Sequence, residues 1–328
     1  MSTTAQPTPR PARGAPRVPP DWTPLRWGGP APFISWVTYR RPDGSEYTWR
    51  ARPHRKGAGP LLLSADRAGL RTAAGRTPTT TNPWRRFWAP HRLAWWLAIV
   101  FTVGSALFVA GAAGSLAPGL FGGQHRMSIF AEACYFAGAV LFTVALYGLL
   151  LEALNTDERI GPERANPAPR RFRWWITPGD LTRLEVLIPV VFLAGSLIFN
   201  YETTDSLASL FDLLPRIALW QTTMLGSVLF LLGSVLHFIE AGNRYLSLEP
   251  GDISWWIGVL FILGSVGFVV GSLPGLGTPG LPDAHAHAGA LIVKISFLFG
   301  GIAYLVGSYL MLPEMFTQLR STPSTQPR

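Results

Sequence analysis

Two oppositely charged residues, Glu132 and Lys294, stand inside long stretches of apolar residues. An ionised side chain at the centre of a membrane-spanning helix costs about 2.5–3.5 kcal/mol on insertion scales, so each is a candidate for a function. Both precede a glycine of their own stretch by six residues, at equivalent positions of two helices that would run in the same direction. We therefore predict an intramembrane ion pair between Glu132 and Lys294. The pair would stabilise helix packing or, alternatively, act as a gate or proton-linked site; in a transporter it would border a path for an ion or small molecule together with Asn200. A further alternative is that the two side chains extend separately to the interface without pairing.

Two further groups are of residue types that bind metals. His237 and Glu240 lie one helical turn apart near the end of an apolar stretch. They could chelate a metal with a third ligand, or they could form a polar pair at the helix end. Asp283, His285 and His287 alternate in a segment rich in proline and glycine, where alternate histidines share one side of an extended chain. With so few ligands in either group, we expect neither a metal site nor another cofactor.

Motifs of the common enzyme classes are missing from the sequence. It contains no glycine-rich phosphate loop, no nucleophile-elbow pattern and no metalloprotease motif. The one cysteine, Cys134, excludes an internal disulfide and a cysteine-based zinc site. We therefore expect a protein that is not an enzyme.

The elements that would position these residues are membrane-spanning helices. A helix needs about 20 mostly apolar residues to cross a hydrocarbon core of about 30 Å. Six stretches meet this requirement: Leu93–Leu116, Met127–Leu151, Arg183–Asn200, Ile217–Phe238, Ile253–Leu273 and Ala288–Leu312. We predict an all-α membrane protein with six transmembrane helices in a domain at residues 92–312. The helices would form three tandem hairpins, at 92–153, 183–240 and 253–312, followed by a cytoplasmic tail at 313–328.

The distribution of basic residues predicts the direction of these helices. Of the 28 Lys and Arg residues, 25 would share one side with the N-terminus, and only Arg126 and Arg216 would lie on the other. Because cytoplasmic loops are rich in Lys and Arg, both termini are predicted to be cytoplasmic. Arginine outnumbers lysine by 26 to 2, a bias typical of a GC-rich bacterial genome, so the membrane would be a bacterial plasma membrane.

The net charge of +9 does not require a nucleic-acid partner. Each basic residue near an anionic inner leaflet gains about 1 kcal/mol, so the lipid bilayer is a sufficient partner. We expect no binding to nucleic acid. The chain could also form a homo-oligomer or bind a protein partner, through its helix faces or its N-terminal region.

Every apolar stretch contains an aromatic residue, a glycine three positions later, a small residue, and then another aromatic residue or a histidine. Steps of three, four and seven residues place these side chains on one helical face, where glycine permits close approach and serine forms hydrogen bonds. They are predicted to mediate helix packing, with the lining of a substrate path as the alternative. The predicted packing residues are Gly104, Ser105, Gly138, Gly195, Ser196, Gly233, Ser234, Gly264, Ser265 and Gly300.

A longer internal repeat relates the stretches to one another. The first and fifth match without a gap from Trp95 to Gly111 and from Trp255 to Gly271, with eight of 17 positions identical. Repeats that start and return on the same side are parallel repeats, related by an axis along the membrane normal. The tryptophan pairs that open them are predicted to be interfacial anchors: Trp95, Trp96, Trp255 and Trp256.

The Phe-x-x-Gly-Ser-x-x-Phe core, as in Phe101–Phe108 and Phe261–Phe268, resembles the YrhK-like family of bacterial membrane proteins. The resemblance covers about residues 93–312 as repeated two-helix units. The second and sixth stretches depart from it, with Gly138-Ala139 and Gly300-Gly301. It implies a membrane domain without an assigned biochemical role and supplies no catalytic residues.

The N-terminal region is polar and basic. Residues 1–33 carry nine prolines and are predicted to be disordered. Ile34–Arg40 and Glu46–Arg52 alternate apolar and polar residues around Pro42-Asp43-Gly44, which predicts a small β-hairpin within a cytoplasmic juxtamembrane region at 34–91. The hairpin would lean on the membrane, a partner or Leu61–Leu63. Val37 and Tyr39 would face Tyr47 and Trp49, and peptide binding by this hairpin is an alternative use of it. Pro83–Arg92 and Arg170–Trp175 are predicted interfacial segments.

The favoured function is that of a non-enzymatic structural or interaction component of the plasma membrane. The alternative is a transporter for an ion or small molecule that uses Glu132 and Lys294. A transporter requires a polar cavity that reaches the middle of the membrane, whereas a scaffold requires a filled bundle or an exposed intramembrane groove.

Overall fold

The computed structural model describes residues 16, 18–52, 88–156, 171–211, 220–242, 245–273 and 283–317. Within this part of the chain, six long helices dominate: α1 (Leu93–Ser115), α2 (Gln124–Asn155), α3 (Leu184–Ser209), α4 (Trp220–Gly242), α5 (Ile253–Ser272) and α6 (Asp283–Thr317). All six are long and apolar enough to cross a membrane, which confirms the predicted all-α membrane fold.

Several helices are longer than the apolar stretches that predicted them. Helix α2 has 32 residues, and α6 has 35 and begins at Asp283 instead of Ala288. Helix α6 also continues through Pro313 to Thr317, so the first part of the predicted C-terminal tail is helical. Hydropathy marks only the part of a helix that would lie in hydrocarbon, and these helices extend beyond it with polar ends.

The six helices form a closed ring. Each packs against the helices before and after it, and α6 packs against α1. The odd-numbered helices begin, and the even-numbered helices end, at the end of the bundle that carries the N-terminal β-sheet. This end is called the sheet end below, and the opposite end is called the far end.

Aromatic rings fill the axis of the bundle. Each helix contributes the ring that follows a glycine by four residues: Phe108, Phe142, Phe199, Phe230, Phe268 and Tyr304. The three rings from α2, α4 and α6 form a triangle, with centroid distances of 6.1 Å for Phe142–Phe230, 6.0 Å for Phe142–Tyr304 and 5.8 Å for Phe230–Tyr304. In the second layer, from the odd-numbered helices, Phe268 contacts Phe108 at 6.1 Å and Phe199 at 6.3 Å.

Two kinds of contact alternate around the ring of helices. Within a hairpin, glycine backbones meet: a Cβ atom on Gly104 would lie 3.2 Å from the main-chain oxygen of Gly138. Between hairpins, hydroxyl groups meet instead. These pairs are Ser105–Ser308 at 3.2 Å, Thr143–Ser196 at 2.6 Å and Ser234–Ser265 at 2.9 Å.

The N-terminal sheet has three antiparallel strands, β1 (Thr23–Gly28), β2 (Trp36–Arg40) and β3 (Glu46–Arg50), in the order β1-β2-β3. Strands β2 and β3 form the predicted hairpin. Val37 and Tyr39 face Tyr47 and Trp49 as predicted, and the structure pairs Val37 with Trp49 and Tyr39 with Tyr47. These four side chains are buried on one face, as the alternation of the sequence requires.

Strand β1 corrects the predicted domain boundary, because residues 23–28 fall in the segment that we expected to be disordered. The strand pairs with β2, with Trp27 opposite Val37, and the nearby ring of Trp22 packs against Tyr47 at 5.5 Å. A third strand supplies the support that an isolated hairpin lacks in water. Leu61–Leu63, one predicted support, lie outside the described residues.

Candidate functional site

A buried ionic cluster joins the N-terminal sheet to the helical bundle. Arg52, two residues after β3, reaches the sheet end of the bundle between α4 and α6. Its Nη2 atom donates a hydrogen bond to Oε1 of Glu314 at 2.7 Å, and its Nη1 atom donates to Oε2 of Glu240 at 3.3 Å. The side chains of Arg52, Glu240 and Glu314 are exposed by only 7%, 2% and 1%, so water does not screen these contacts.

Two further side chains complete the cluster. The hydroxyl of Ser254, at the start of α5, donates to Oε1 of Glu314 at 2.6 Å. Both terminal nitrogens of Arg52 lie 3.4 Å from Nε2 of His237. Because a guanidinium can only donate, we assign Nε2 as the acceptor and place the imidazole proton on Nδ1. Arg52, His237, Glu240, Ser254 and Glu314 are called the Arg52 cluster below.

The electrostatics of the cluster keep Arg52 charged. Burial on its own would lower the pKa of the Arg52 guanidinium, but the negative charges of Glu314 and Glu240 outweigh it and raise that pKa above its ordinary value. Asp252 contributes in the same direction. Its carboxylate also caps α5 by accepting a hydrogen bond from the Ser254 amide at 2.9 Å, which holds Ser254 beside Glu314.

The sequence pattern pointed to two members of this cluster but not to its composition. His237 and Glu240 were considered as metal ligands or as a polar pair at a helix end, and both instead contact Arg52. Among the described residues no group of three His, Cys, Asp or Glu side chains could hold a metal ion. Arg52 was missed because it is one of many arginines in the N-terminal region.

The packing of α4 against α3 relates Glu240 to glutamates of the other even-numbered helices. Gly195 of α3 faces Gly226, with a Cβ atom on Gly195 3.1 Å from the Gly226 main-chain oxygen, whereas Gly233, the predicted packing glycine of α4, lies against Phe192. The predicted motif in α4 is therefore displaced by seven residues from the position that its partner helix uses. In the corrected register, the glutamates that follow a glycine by 14 residues in the even-numbered helices are Glu152, Glu240 and Glu314.

The other predicted packing residues lie where close helix approach needs them. Gly138, Gly264 and Gly300 each face an aromatic ring of the partner helix, and an added Cβ atom would lie within 3.0 Å of that ring. The serines that follow the glycines are fully buried, including Ser105 and Ser265. These glycines permit the contact between helices that small residues provide in membranes.

The structure shows a hydrogen bond from Lys294, one of the two residues of the predicted intramembrane ion pair. The ammonium of Lys294 donates to the main-chain oxygen of Ser115 at 2.7 Å. Ser115 is the last residue of α1, so Lys294 satisfies a carbonyl that has no partner within its own helix, and its charge favours that helix end. The rings of Tyr135 and Phe297, three residues after Glu132 and Lys294, lie 6.4 Å apart. Ion pairing between Glu132 and Lys294 stays a prediction.

Asn200 also has a packing role. Its amide nitrogen donates to the main-chain oxygen of Ala139 at 3.2 Å, to the hydroxyl of Thr143 at 2.6 Å and to the main-chain oxygen of Ser196 at 2.9 Å. The first two bonds join α2 to α3 inside the bundle, and the third lies within α3. Only the transporter alternative places Asn200 beside a solute path, and in the structure its donors are used in the packing of two helices.

The tryptophan pairs divide between two environments. Trp96 and Trp256 are half-exposed, and their Nε1 atoms each donate at 2.9 Å to the main-chain oxygen of a proline, Pro90 and Pro250. Trp95 is buried and so faces protein instead of the headgroup layer, which corrects its predicted role as an anchor. Trp255 is partly buried and donates to the main-chain oxygen of Ser247 at 2.7 Å.

The remaining metal candidates have a helical backbone, whereas an extended one was predicted. Asp283, His285 and His287 belong to the first turns of α6 and not to an extended loop. A helical backbone does not place alternate residues on one side as an extended segment would, and the side chains of these three residues lie outside the described part of the structure.

An exposed segment before α3 is fixed by a second ionic contact. Arg173 binds Asp180 bidentately, with Nη1 to Oδ1 at 3.0 Å and Nη2 to Oδ2. The Thr177 amide and hydroxyl also donate to Oδ2, at 2.8 and 2.7 Å. Burial raises the pKa of Asp180, but Arg173 and Thr177 outweigh burial and lower it to about 2.

Comparison with known proteins identifies no relative, so a function has to be inferred from the contacts described above. No protein-family model, curated protein or solved structure matches this chain. The resemblance to the YrhK-like family therefore stays a prediction.

Proposed function

We propose that this protein is a non-enzymatic structural or interaction component of a bacterial plasma membrane. Its bundle holds the N-terminal sheet at the cytoplasmic surface, where the sheet is the element that a partner contacts. The excess of basic residues on the N-terminal side supports this orientation. The three hairpins derive from an internal repeat, which the recurring contacts between helices support.

The observation that carries this proposal is the contact of Arg52 with Glu240 and Glu314. An ion pair with almost no exposure makes the sheet and the bundle one unit, because separating them would leave buried charges without a counter-charge. A second link supports it, since the Tyr245 hydroxyl donates to the main-chain oxygen of Ala31 at 2.7 Å. A sheet held in this way presents a constant surface to a partner or a second copy of the chain.

The filled axis of the bundle bears on the transporter alternative. Two layers of three rings occupy the axis, and the rings of Phe142, Phe230 and Tyr304 are almost fully buried. A solute would have to displace both layers to cross the membrane. Lys294 and Asn200 already have hydrogen-bond partners at the ends or interfaces of helices.

Photo-crosslinking in native membranes tests the proposal. A benzoylphenylalanine placed at the exposed sheet positions Thr48 or Arg50 should give a discrete crosslinked product, and the same residue at the lipid-facing position Leu232 should not. The product should be lost in Arg52→Ala protein that still inserts. If every sheet position failed to crosslink, while proteoliposomes carrying the chain moved an ion or solute and Glu132→Gln abolished this flux, the transporter alternative would replace the scaffold.

A further inference from the structure

Three short segments lead into the odd-numbered helices at the sheet end. They are residues 88–92 before α1, residues 171–176 before α3 and residues 245–250 before α5, and they are called the lead-in segments below. Each exposes large apolar side chains although none of these residues belongs to a helix. The exposed side chains and their exposed fractions are Trp88 77%, Phe172 53%, Trp174 56%, Trp175 78%, Ile176 40%, Tyr245 60%, Leu246 87% and Leu248 89%.

The backbone of each lead-in segment is fixed to the bundle by an aromatic side chain. Trp96 of α1 donates to the main-chain oxygen of Pro90, and Tyr147 of α2 donates to that of Trp174 at 3.2 Å. Trp255 of α5 donates to the main-chain oxygen of Ser247, a residue that is buried between the exposed Leu246 and Leu248. The outward apolar side chains are therefore held in place and do not belong to loose loops.

The middle segment is the most strongly held. Asn155 at the end of α2 donates to the main-chain oxygen of Arg173 at 2.9 Å and accepts from its amide at 2.8 Å. The Arg173–Asp180 ion pair fixes the same segment on its other side. Rings of Phe172, Trp174 and Trp175 extend outward from this support, beside the exposed side chain of Arg171.

The placement of the segments around the bundle identifies what covers them. Helices α1, α3 and α5 alternate with the even-numbered helices in the closed ring, so the lead-in segments lie at three separate corners of one end. A protein partner or a second copy of the chain would cover one side. A bilayer surrounds the bundle on all sides, and its headgroup layer is where tryptophan and arginine accumulate.

We propose that the three lead-in segments form a collar that inserts into the lipid headgroup layer at the sheet end. The collar fixes the depth of the bundle at three points and keeps the N-terminal sheet at the membrane surface. Two of the segments overlap regions that the sequence predicts to be interfacial. The third, with Leu246 and Leu248, and the three-cornered arrangement become visible only in the folded chain.

Spin labels on the full-length chain in nanodiscs, at one chain per disc, test this proposal. Labels are attached to single cysteines that replace Trp88, Trp175 or Leu248 in a Cys134→Ser background. Arg50→Cys on β3 is the water-exposed control, and Leu232→Cys on α4 is the lipid-facing control. Collision rates of each label with oxygen and with a water-soluble nickel complex give its depth.

The collar predicts that all three labels show an oxygen-to-nickel ratio several-fold above that of the Arg50→Cys label and below that of the Leu232→Cys label. A ratio equal to the Arg50→Cys value at any corner would overturn the proposal, because that segment would face water. Low collision rates with both reagents would also overturn it, because the label would then be buried within the chain, and lipid contact at one corner only would overturn it because no collar would surround the bundle. Labels at Phe172 and Leu246 provide the same measurement if a first variant does not fold.

Discussion

The guanidinium of Arg52 lies 2.7 Å from the carboxylate of Glu314, a residue 262 positions further along the chain. This contact brings the segment after the N-terminal sheet to the end of the last helix. The Glu314 carboxylate also lies beside the start of α5, where the hydroxyl of Ser254 donates to the same oxygen. Two regions far apart along the chain are thus joined by charges that are buried together.

Removal of Arg52 should strongly destabilise the protein. Arg52→Ala leaves Glu240 and Glu314 buried without their counter-charge, a change that typically costs about 3–5 kcal/mol. The melting temperature of the purified protein in detergent should therefore fall. Adding Glu240→Gln and Glu314→Gln to Arg52→Ala should restore most of the loss, because neutral amides need no counter-charge. Equal melting temperatures for wild type and Arg52→Ala would show that the cluster does not hold the two parts together.

A double-mutant cycle should reveal whether Glu132 and Lys294 interact. If they form the predicted pair, Glu132→Gln and Lys294→Gln each destabilise the protein, while the double variant is close to wild type. Thermal stability of the four proteins in detergent gives the coupling energy. Additive effects would contradict the ion pair. In that case the bond from Lys294 to the main-chain oxygen of Ser115 would account for the cost of Lys294→Gln.

Gly264 should not tolerate a side chain. An added Cβ atom would lie 2.5 Å from the ring of Tyr304 and 3.0 Å from the main-chain oxygen of Gly300, so α5 and α6 would have to separate. We expect Gly264→Ala to cost about 1–3 kcal/mol, the range for overpacking of a close contact. Gly119→Ala is the matched control, because nothing lies within 4 Å of its added Cβ atom. Melting temperatures of both variants in detergent check the prediction, and equal values would contradict it.

The contact between Arg173 and Asp180 should make part of the stability depend on pH. The pKa of Asp180 is lowered to about 2 in the folded protein, so its stabilising contribution is present above its ordinary pKa near 4. That contribution is lost as the pH falls from about 4 through about 2. Asp180→Asn should therefore cost about 1.5–3 kcal/mol at neutral pH and progressively less in acid. A cost that did not change between pH 7 and pH 2, measured by thermal unfolding, would argue against an ionised Asp180.

The sequence by itself determined the features that depend on residues close together along the chain. The membrane spans follow from apolar length against the thickness of a bilayer, and α1 and α5 end within one residue of their predicted limits. That Val37 and Tyr39 face Tyr47 and Trp49 follows from alternation around a short turn. Both features are decided within one segment, so no knowledge of distant contacts was needed.

Only the tertiary structure decided which distant groups meet. The pattern of α4 contains two Gly-Ser steps, Gly226-Ser227 and Gly233-Ser234, seven residues and two helical turns apart on the same face. Local periodicity cannot distinguish them, and the choice of Gly226 opposite Gly195 is made by the packing of α3 against α4. That choice aligns Glu240 with Glu314, and Arg52 then joins them across separations of 188 and 262 residues. Such pairing depends on charge burial in the assembled bundle, for which a single sequence carries no local signal.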